Sequence, residues 1–378
     1  MIRPVHGGNL AWAATLAGCP ASAILDFSAS ISPLGPPESA LAAIQAHLGS
    51  LTAYPDPDYG ELRAALGEAL NVDPDWILPG NGSAELLTWA ARDLSKLEAT
   101  YLVTPAFGDY WRALSAFGAQ VLDCPLDLKS LDAEPGSGLV TDDFSVSNRS
   151  LVSPSLEIPV PLALDADRAL LLNNPHNPTG LLFAREAIRP YLEQLGMVVV
   201  DEAFMDFLPP FEQQSSIAAV EEFPNLVILR SLTKFYSLPG LRMGCAIGHP
   251  DILRRWQLLR DPWPVNALAA AAAAAVVRDA AFERQTWDWL PVARRELFEG
   301  LANLPGLRPM AGAANFLLVE SSVSVSAIQK SLLQQHRILI RDCLSFPELG
   351  DRFFRVAVRE RADNLRLIAG LADVCCQL

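Results

Sequence analysis

The middle of the chain alternates short apolar runs with stretches in which apolar residues recur at helical spacing. The runs that predict strands are 75–79, 100–104, 120–122, 169–172, 197–200, 226–229 and 245–247. Several are continuously apolar, which is typical of strands covered on both faces. A helix is predicted after 75–79, with Ser83 as its N-cap and with one apolar face made of Leu86, Leu87, Ala90, Ala91 and Leu94. This alternation predicts an α/β fold with a mainly parallel sheet.

The two ends of the chain and one internal segment follow a different pattern. After about Pro264 come predicted helices and then two strand candidates, 314–320 and 353–359, which indicate a smaller α+β domain. We therefore divide the chain into an N-terminal segment at 1–50 that joins the small domain, a large domain at 51–262 and a small domain at 263–378. The segment 129–165 is rich in Ser, Pro, Asp and Gly and predicts a long surface excursion.

Composition narrows the possible partners. The chain has 378 residues, of which 51% are hydrophobic and 19% charged, with a formal net charge of −14. That charge argues against a nucleic-acid partner, although a local arginine cluster could still bind an anionic substrate.

The chain has six cysteines, which form no CxxC pair and no His/Cys cluster with zinc-like spacing. We therefore predict a reducing cytoplasm and no metal site. The start predicts no signal peptide, and the longest apolar stretch, 267–277, is too short for a membrane span and predicts a buried or interface helix.

Polar motifs follow several of the predicted strands, where ligands bind in open α/β sheets. The run GNGSAE at 80–85 turns into a helix N-terminus that could bind a phosphate, although alone it is more often a simple capped turn. The run NNPHNPTG at 173–180 specifies a rigid turn that could present the Asn177 amide. Asp201 directly follows an apolar strand, where a carboxylate needs a cationic partner such as a protonated ring nitrogen or a basic side chain.

A lysine follows the strand at 226–229. Lys234 lies among Phe235, Tyr236 and Leu238, where desolvation could depress its pKa and make it a nucleophile. Ser231, Thr233 and Arg242 could together bind a dianionic phosphate nearby. A lone lysine on a loop is usually solvated, so the prediction depends on the ordered combination of anion turn, Asn, Asp, Lys and Arg.

That ordered set resembles the fold-type I pyridoxal-phosphate enzymes, in the branch of histidinol-phosphate aminotransferase. The resemblance covers nearly the whole chain, through HGGNL (6–10), LDFSASISPLGPP (25–37), YPDPDYGELRAAL (54–66), DEAFMDF (201–207), LRSLTKFYSLPGLRMG (229–244), ILIRDC (338–343) and FFRVAVR (353–359). It implies a large domain with a mainly parallel seven-stranded sheet and helices on both faces, a smaller α+β domain, pyridoxal 5'-phosphate as cofactor and a homodimer.

The resemblance also implies a role for each matching residue. Lys234 would bind the cofactor covalently, Asp201 would pair with its ring nitrogen and Asn177 with its ring hydroxyl. The cofactor ring would stack on Tyr110 in preference to Phe107. The cofactor phosphate would be held by Ser83, Ala84, Ser231, Arg242 and the Tyr54 of the other subunit. The small phosphorylated amino-acid substrate would be bound by His6, Ser32, Asn177, Arg341 and Arg355.

Two positions depart from the pattern of the family. Phe204 stands where many aminotransferases of this branch have tyrosine, so it cannot donate to the ring oxygen. Ser32 replaces the asparagine of the usual NPLG run, which bears on substrate identity.

HGGNL and LRSLTKFY are more narrowly similar to the branch that decarboxylates threonine phosphate in cobalamin synthesis, and that branch tolerates Phe204. We therefore expect decarboxylation, with transamination of histidinol phosphate or another amino acid as the alternative. A non-enzymatic binding protein is disfavoured, because it would not need the intact Lys, Asp and Arg set.

Overall fold

The computed structural model describes residues 7–128, 157–161 and 165–377. His6 and most of the predicted excursion at 129–165 lie outside these residues. The helices are α1 Leu10–Ala17, α2 Glu38–Ala46, α3 Gly60–Leu70, α4 Ser83–Leu94, α5 Gly108–Ala116, α6 Arg189–Leu192, α7 Leu232–Phe235, α8 Pro250–Leu259, α9 Ala267–Val276, α10 Ala280–Ala302, α11 Val325–Ser331 and α12 Arg361–Gln377. The strands are β1 Leu25–Asp26, β2 Ile77–Asn81, β3 Ala99–Thr104, β4 Val121–Pro125, β5 Arg168–Asn173, β6 Met197–Asp201, β7 Leu226–Ser231, β8 Met243–Gly248, β9 Leu307–Pro309, β10 Phe316–Ser321, β11 Ile338–Leu339, β12 Arg341–Asp342 and β13 Phe353–Ala357.

The main sheet has seven strands in the order β2-β8-β7-β6-β5-β3-β4. All neighbouring pairs are parallel except those that β8 makes with β2 and with β7. Both faces of the sheet are covered, and the residues of β3, β6, β7 and β8 are all buried. The α/β class and the mainly parallel sheet predicted from continuous apolar runs are thus confirmed.

One predicted strand begins later than its apolar pattern indicated. The run 75–79 was predicted to be extended, but Pro74–Trp76 form a 3-10 turn and the strand starts at Ile77. Asp73 starts the turn, because its side chain accepts a hydrogen bond from the Asp75 backbone N–H at 2.8 Å. The other predicted strands lie within a few residues of the observed ones.

The C-terminal part of the chain forms a four-stranded antiparallel sheet in the order β12-β13-β10-β9. The N-terminal segment attaches to this part, because β1 pairs with β11 and the Ala357 backbone N–H donates to the Phe27 carbonyl at 2.9 Å. These contacts agree with the assignment of the first residues to the small domain, although the boundaries at 50 and 262 stay predictions.

The alanine-rich run at 267–277 forms α9, which packs against α2 and α3 with most of its residues buried or half-buried. Within the described residues, no helix combines the length and the apolar character that a membrane crossing requires.

The sheet positions the candidate site through the direction of its strands. Strands β3, β5, β6 and β7 are mutually parallel, and β2 runs the same way because two antiparallel pairings separate it from β7. Their carboxyl ends therefore meet at one edge, and β8 begins at that edge. The segments that follow these ends carry most of the side chains singled out by the sequence.

Candidate active site

Lys234 lies in α7, the short helical turn that directly follows β7. Its backbone carbonyl accepts a hydrogen bond from the Ser32 N–H at 3.0 Å, so the N-terminal segment crosses the site at this point. Burial lowers the pKa of the Lys234 ammonium; Asp201 opposes this shift, while Arg355 and Arg242 add to it. The side chain thus has the depressed pKa expected of a nucleophilic amine.

Asp201 ends β6 and is buried. Its Oδ1 accepts from the Ala203 backbone N–H at 3.0 Å, and its Oδ2 accepts from the Tyr110 hydroxyl at 2.7 Å. Burial raises the pKa of the Asp201 carboxyl, whereas the Tyr110 hydrogen bond and the charge of Lys234 hold it down. The carboxylate is therefore fixed in place and ready to pair with a cation.

Tyr110 makes a contact that the sequence did not predict. Its side chain is only 2% exposed, and its hydroxyl is committed to Asp201. Burial and the adjacent carboxylate raise the Tyr110 pKa well above its usual value, so the phenol stays a hydrogen-bond donor. The half-buried Phe107 lies edge-on to it, with ring centroids 5.7 Å apart. Whether Tyr110 also stacks on a cofactor ring stays a prediction, and Phe107 is the other candidate for that contact.

The turn before α4 forms a concave backbone surface. The predicted N-cap role of Ser83 is wrong: Gly82 is the N-cap, with φ 77, and Ser83 is the first helical residue. Glycine adopts this positive φ without the steric cost that a Cβ would add. Glu85 stabilises the turn by accepting from the backbone N–H of Asn81, the residue before the N-cap, at 2.9 Å, and among the described residues no side chain caps the helix itself. The first N–H groups of α4 are therefore left to face a ligand.

Arg242 directly precedes β8 and faces that turn. Its backbone adopts a positive φ of 58, which is unusual for a residue with a side chain. A Cβ built on Gly82 would lie 2.7 Å from Arg242 Nη2, so the guanidinium occupies the space that the glycine leaves open. Within the described residues, no carboxylate lies within ion-pair distance of Arg242, whose Nη1 instead donates to the Pro239 carbonyl at 3.1 Å.

A cation beside the positive end of a helix dipole is a repulsive arrangement unless an anion binds between them. Ser231 and Thr233 supply buried hydroxyls at the end of β7, with their oxygens 2.9 Å apart. The arrangement fits a phosphate group, held by backbone N–H groups, by Arg242 and by hydroxyls. The sequence prediction for Ser83, Ala84, Ser231 and Arg242 is thus consistent with their positions.

Arg341 and Arg355 are directly opposite each other on the antiparallel strands β12 and β13. Like charges at opposed positions are destabilising, so an anion bound beside these guanidiniums would stabilise the pair. Burial lowers the pKa of Arg355 to about 10, and the charge of Arg341 adds to the shift. Arg355 Nη1 donates to Asn177 Oδ1, which joins the small sheet to the turn after β5. Arg341 Nη2 donates to the Ser345 hydroxyl at 2.7 Å.

Three further residues were predicted from the sequence to belong to the site: Ser32, Tyr54 and His6. Ser32 is buried and is joined to the lysine turn, because its carbonyl accepts from the Ser237 hydroxyl at 2.6 Å. Tyr54 is 78% exposed and stacks on Trp263, with ring centroids 4.3 Å apart. Its predicted role in the site of a second subunit is neither supported nor contradicted by this contact. His6 lies outside the described residues.

Sequence comparisons agree with this geometry. Residues 22–371 match the family of class I and II aminotransferases, and the chain belongs to that family. It is 38% identical over 379 residues to the threonine-phosphate decarboxylase of Salmonella typhimurium, covering 99% of this chain and 97% of the relative. It is 27% identical over 378 residues to an adenosylcobalamin biosynthesis bifunctional protein of Leptospira interrogans, covering 99% of this chain and 41% of the relative.

Among solved structures, the chain is similar to the histidinol-phosphate aminotransferase of Clostridium acetobutylicum. That match has a TM-score of 0.78 and 25% identity, and it covers 94% of this chain and 100% of the other. The fold-type I architecture expected from the sequence is therefore confirmed.

Proposed function

We propose that this chain is a pyridoxal-phosphate-dependent decarboxylase that converts L-threonine O-3-phosphate into 1-amino-2-propanol O-2-phosphate during cobalamin biosynthesis. The observation that carries the proposal is the opposed pair Arg341 and Arg355 on neighbouring strands, coupled electrostatically to Lys234 through Arg355. Two arginines at opposed strand positions, one of which lowers the pKa of Lys234, suit a substrate with an amine and two anionic groups. The identity to the Salmonella decarboxylase over almost the full chain supports the same substrate.

The cofactor is pyridoxal 5'-phosphate, and the residues of the site fit it. Its phosphate would be held by the N–H groups of Ser83 and Ala84, by Ser231 and by Arg242. Asp201 would pair with its ring nitrogen, and Lys234 would bind it covalently. When bound, pyridoxal phosphate supplies an electron sink for the bonds at the α-carbon of an amino acid.

Lys234 has the properties of the group that moves protons. Burial lowers the pKa of its ammonium, which favours the neutral amine that can accept a proton and return it. In the proposed reaction the bond between Cα and the carboxylate breaks, carbon dioxide leaves and Cα takes one proton, which Lys234 Nζ would supply. Asp201 would pair with the protonated ring nitrogen in its charged form, which the Tyr110 and Ala203 donors and the nearby lysine favour although burial raises its pKa.

The arginines would decide which bond at Cα breaks. A substrate held at both its carboxylate and its phosphate has little freedom to rotate about Cα. The arginine pair therefore fixes which substituent of Cα is presented to the electron sink. Arg341 and Arg355 stand on the same face of the small sheet, so one can take the carboxylate while the other takes the phosphate.

Transamination is the second candidate, because the fold is shared with the Clostridium histidinol-phosphate aminotransferase. Two assays of the purified holoenzyme distinguish these activities. One contains threonine phosphate, and the other contains histidinol phosphate with 2-oxoglutarate. The proposal predicts carbon dioxide from the first and no glutamate from the second. Glutamate formation without carbon dioxide release would establish the aminotransferase instead.

The proposed setting is a homodimer in the cytoplasm. All six cysteines are unpaired, which fits a reducing compartment. Tyr54 and Trp263 form an exposed aromatic pair, and Leu51, Leu258 and Leu259 are exposed as well. Exposed apolar side chains of this size are candidates for a subunit interface, through which Tyr54 would reach the second site. Light scattering on the purified protein would test this, with a mass of one chain as the contrary result.

A further inference from the structure

Two aromatic rings lie between two cations of the site. Phe204 follows β6 and Phe316 begins β10, and their ring centroids are 5.1 Å apart at an interplanar angle of 78°. Lys234 Nζ lies 5.5 Å from the centroid of Phe204, and Arg355 Cζ lies 4.6 Å from that of Phe316. Each ring thus holds a cation within the range of a cation–π interaction, and the rings pack in the favoured T-shaped geometry.

Arg355 is held by neutral groups. Its Nη1 donates to the amide oxygen of Asn177, and its guanidinium lies over the Phe316 ring. Within the described part of the chain, its Nε is buried without a hydrogen-bond partner, and no carboxylate lies within ion-pair distance. Arg230 shows the contrasting arrangement, because Glu202, 3.1 Å away, and Asp206 neutralise it. An aromatic face and an amide can orient a guanidinium without cancelling the charge that an incoming anion requires.

We infer that Phe316 is a positioning residue that holds the Arg355 guanidinium at a set distance from Lys234, through its ring face and its contact with Phe204. Both rings are buried, so neither can move without repacking its neighbours. An Arg355 guanidinium held in this way would be oriented to meet the substrate carboxylate. The inference deepens the proposed function and rests on it.

The test compares two ligands that differ by the carboxylate alone. Threonine phosphate carries it, whereas 1-amino-2-propanol O-2-phosphate lacks it. Calorimetry would give both dissociation constants for holoenzyme carrying Lys234→Ala, which prevents turnover, with and without Phe316→Leu. Loss of a desolvated cation–π contact should weaken threonine phosphate binding about 5- to 30-fold. The carboxylate-free ligand should change less than about twofold, because it does not use Arg355.

A matched control is available on the surface. Phe223 supports Arg189 at 5.1 Å, so Phe223→Leu removes a comparable contact outside the site, and neither affinity should change. Equal weakening of both ligands by Phe316→Leu, or no weakening, would overturn the inference. If the leucine variant does not fold, Phe316→Met answers the same question, because methionine adapts its shape to a cavity and also lacks a ring face.

Failure of the inference and failure of the proposed function remain distinguishable. The unmodified holoenzyme is first assayed for carbon dioxide release from threonine phosphate. No release would reject the proposed function. If carbon dioxide release is normal but the Phe316 variants bind threonine phosphate with unchanged affinity, only the positioning role is rejected.

Discussion

The hydrogen bond between Tyr110 and Asp201 offers a sharp test of the cofactor site. Tyr110→Phe removes one hydroxyl and keeps the ring, so any stacking contact survives while the 2.7 Å bond to Asp201 Oδ2 is lost. A hydrogen bond to a charged group contributes about 1.5–3 kcal/mol. The carboxylate loses this stabilisation but remains buried, so the Asp201 pKa rises and the apoprotein holds less of the ionised form that pairs with a protonated ring nitrogen. We expect the dissociation constant of pyridoxal phosphate to rise roughly 10- to 100-fold, since 1.4 kcal/mol corresponds to a factor of ten.

The pH dependence gives the same prediction a second readout. The Asp201 carboxyl already has a raised pKa because of burial, and the Tyr110 hydrogen bond opposes that shift. Without the hydroxyl the pKa rises further, so the acid side of the cofactor-binding profile should move to higher pH. Fluorescence titration of the apoprotein with pyridoxal phosphate across pH measures both effects.

The control is Tyr101→Phe, which removes another buried tyrosine hydroxyl, one that accepts from Arg168 at 2.7 Å. Tyr101 contacts neither Asp201 nor Lys234 in any described hydrogen bond, so this variant should bind the cofactor normally. A Tyr110→Phe protein that binds as tightly as the unmodified one, with the same pH profile, would refute the reasoning about Asp201.

Two further predictions concern anion binding. Gly82→Ala places a Cβ 2.7 Å from Arg242 Nη2 at a positive φ. It should weaken cofactor binding at least about tenfold, because the displaced guanidinium loses a charge-assisted hydrogen bond to the phosphate, worth about 1.5–3 kcal/mol. Gly49→Ala, which meets no atom within 4 Å, is the control. Arg355 has a pKa of about 10, so threonine phosphate binding to the holoenzyme with Lys234→Ala should weaken as the pH rises through 10. Equal cofactor affinity in both glycine variants, or calorimetric affinity that stays constant to pH 11, would contradict these predictions.

The positions of several site residues could be predicted from strand direction, which the apolar pattern of the sequence indicates. Asn177, Asp201 and Lys234 were predicted to follow buried parallel strands, and the carboxyl ends of such strands meet at one edge. Their convergence therefore needed no knowledge of side-chain packing. The helix after residue 80 was predicted in the same way from its apolar face, all of which is buried.

Other features depend on register and packing that no local pattern encodes. Tyr110 and Asp201 are 91 residues apart, and their contact arises only because α5, which follows β3, brings Tyr110 to the point where β6 ends. The opposition of Arg341 and Arg355 depends on the pairing register of two strands, which a shift of one residue would abolish. Ser83 was wrongly predicted as the N-cap because serine is the commoner capping residue, whereas Gly82 supplies the positive φ that the turn requires.

The most direct measurement of the central claim is the fate of the hydrogen on Cα. Threonine phosphate deuterated at Cα would be incubated with the holoenzyme in ordinary water, and the product would be examined by mass spectrometry. Decarboxylation guided by the arginine pair predicts carbon dioxide and an aminopropanol phosphate that keeps the deuterium and gains one solvent proton. Loss of the deuterium without carbon dioxide release would show that Lys234 removes the Cα proton instead and would contradict the account.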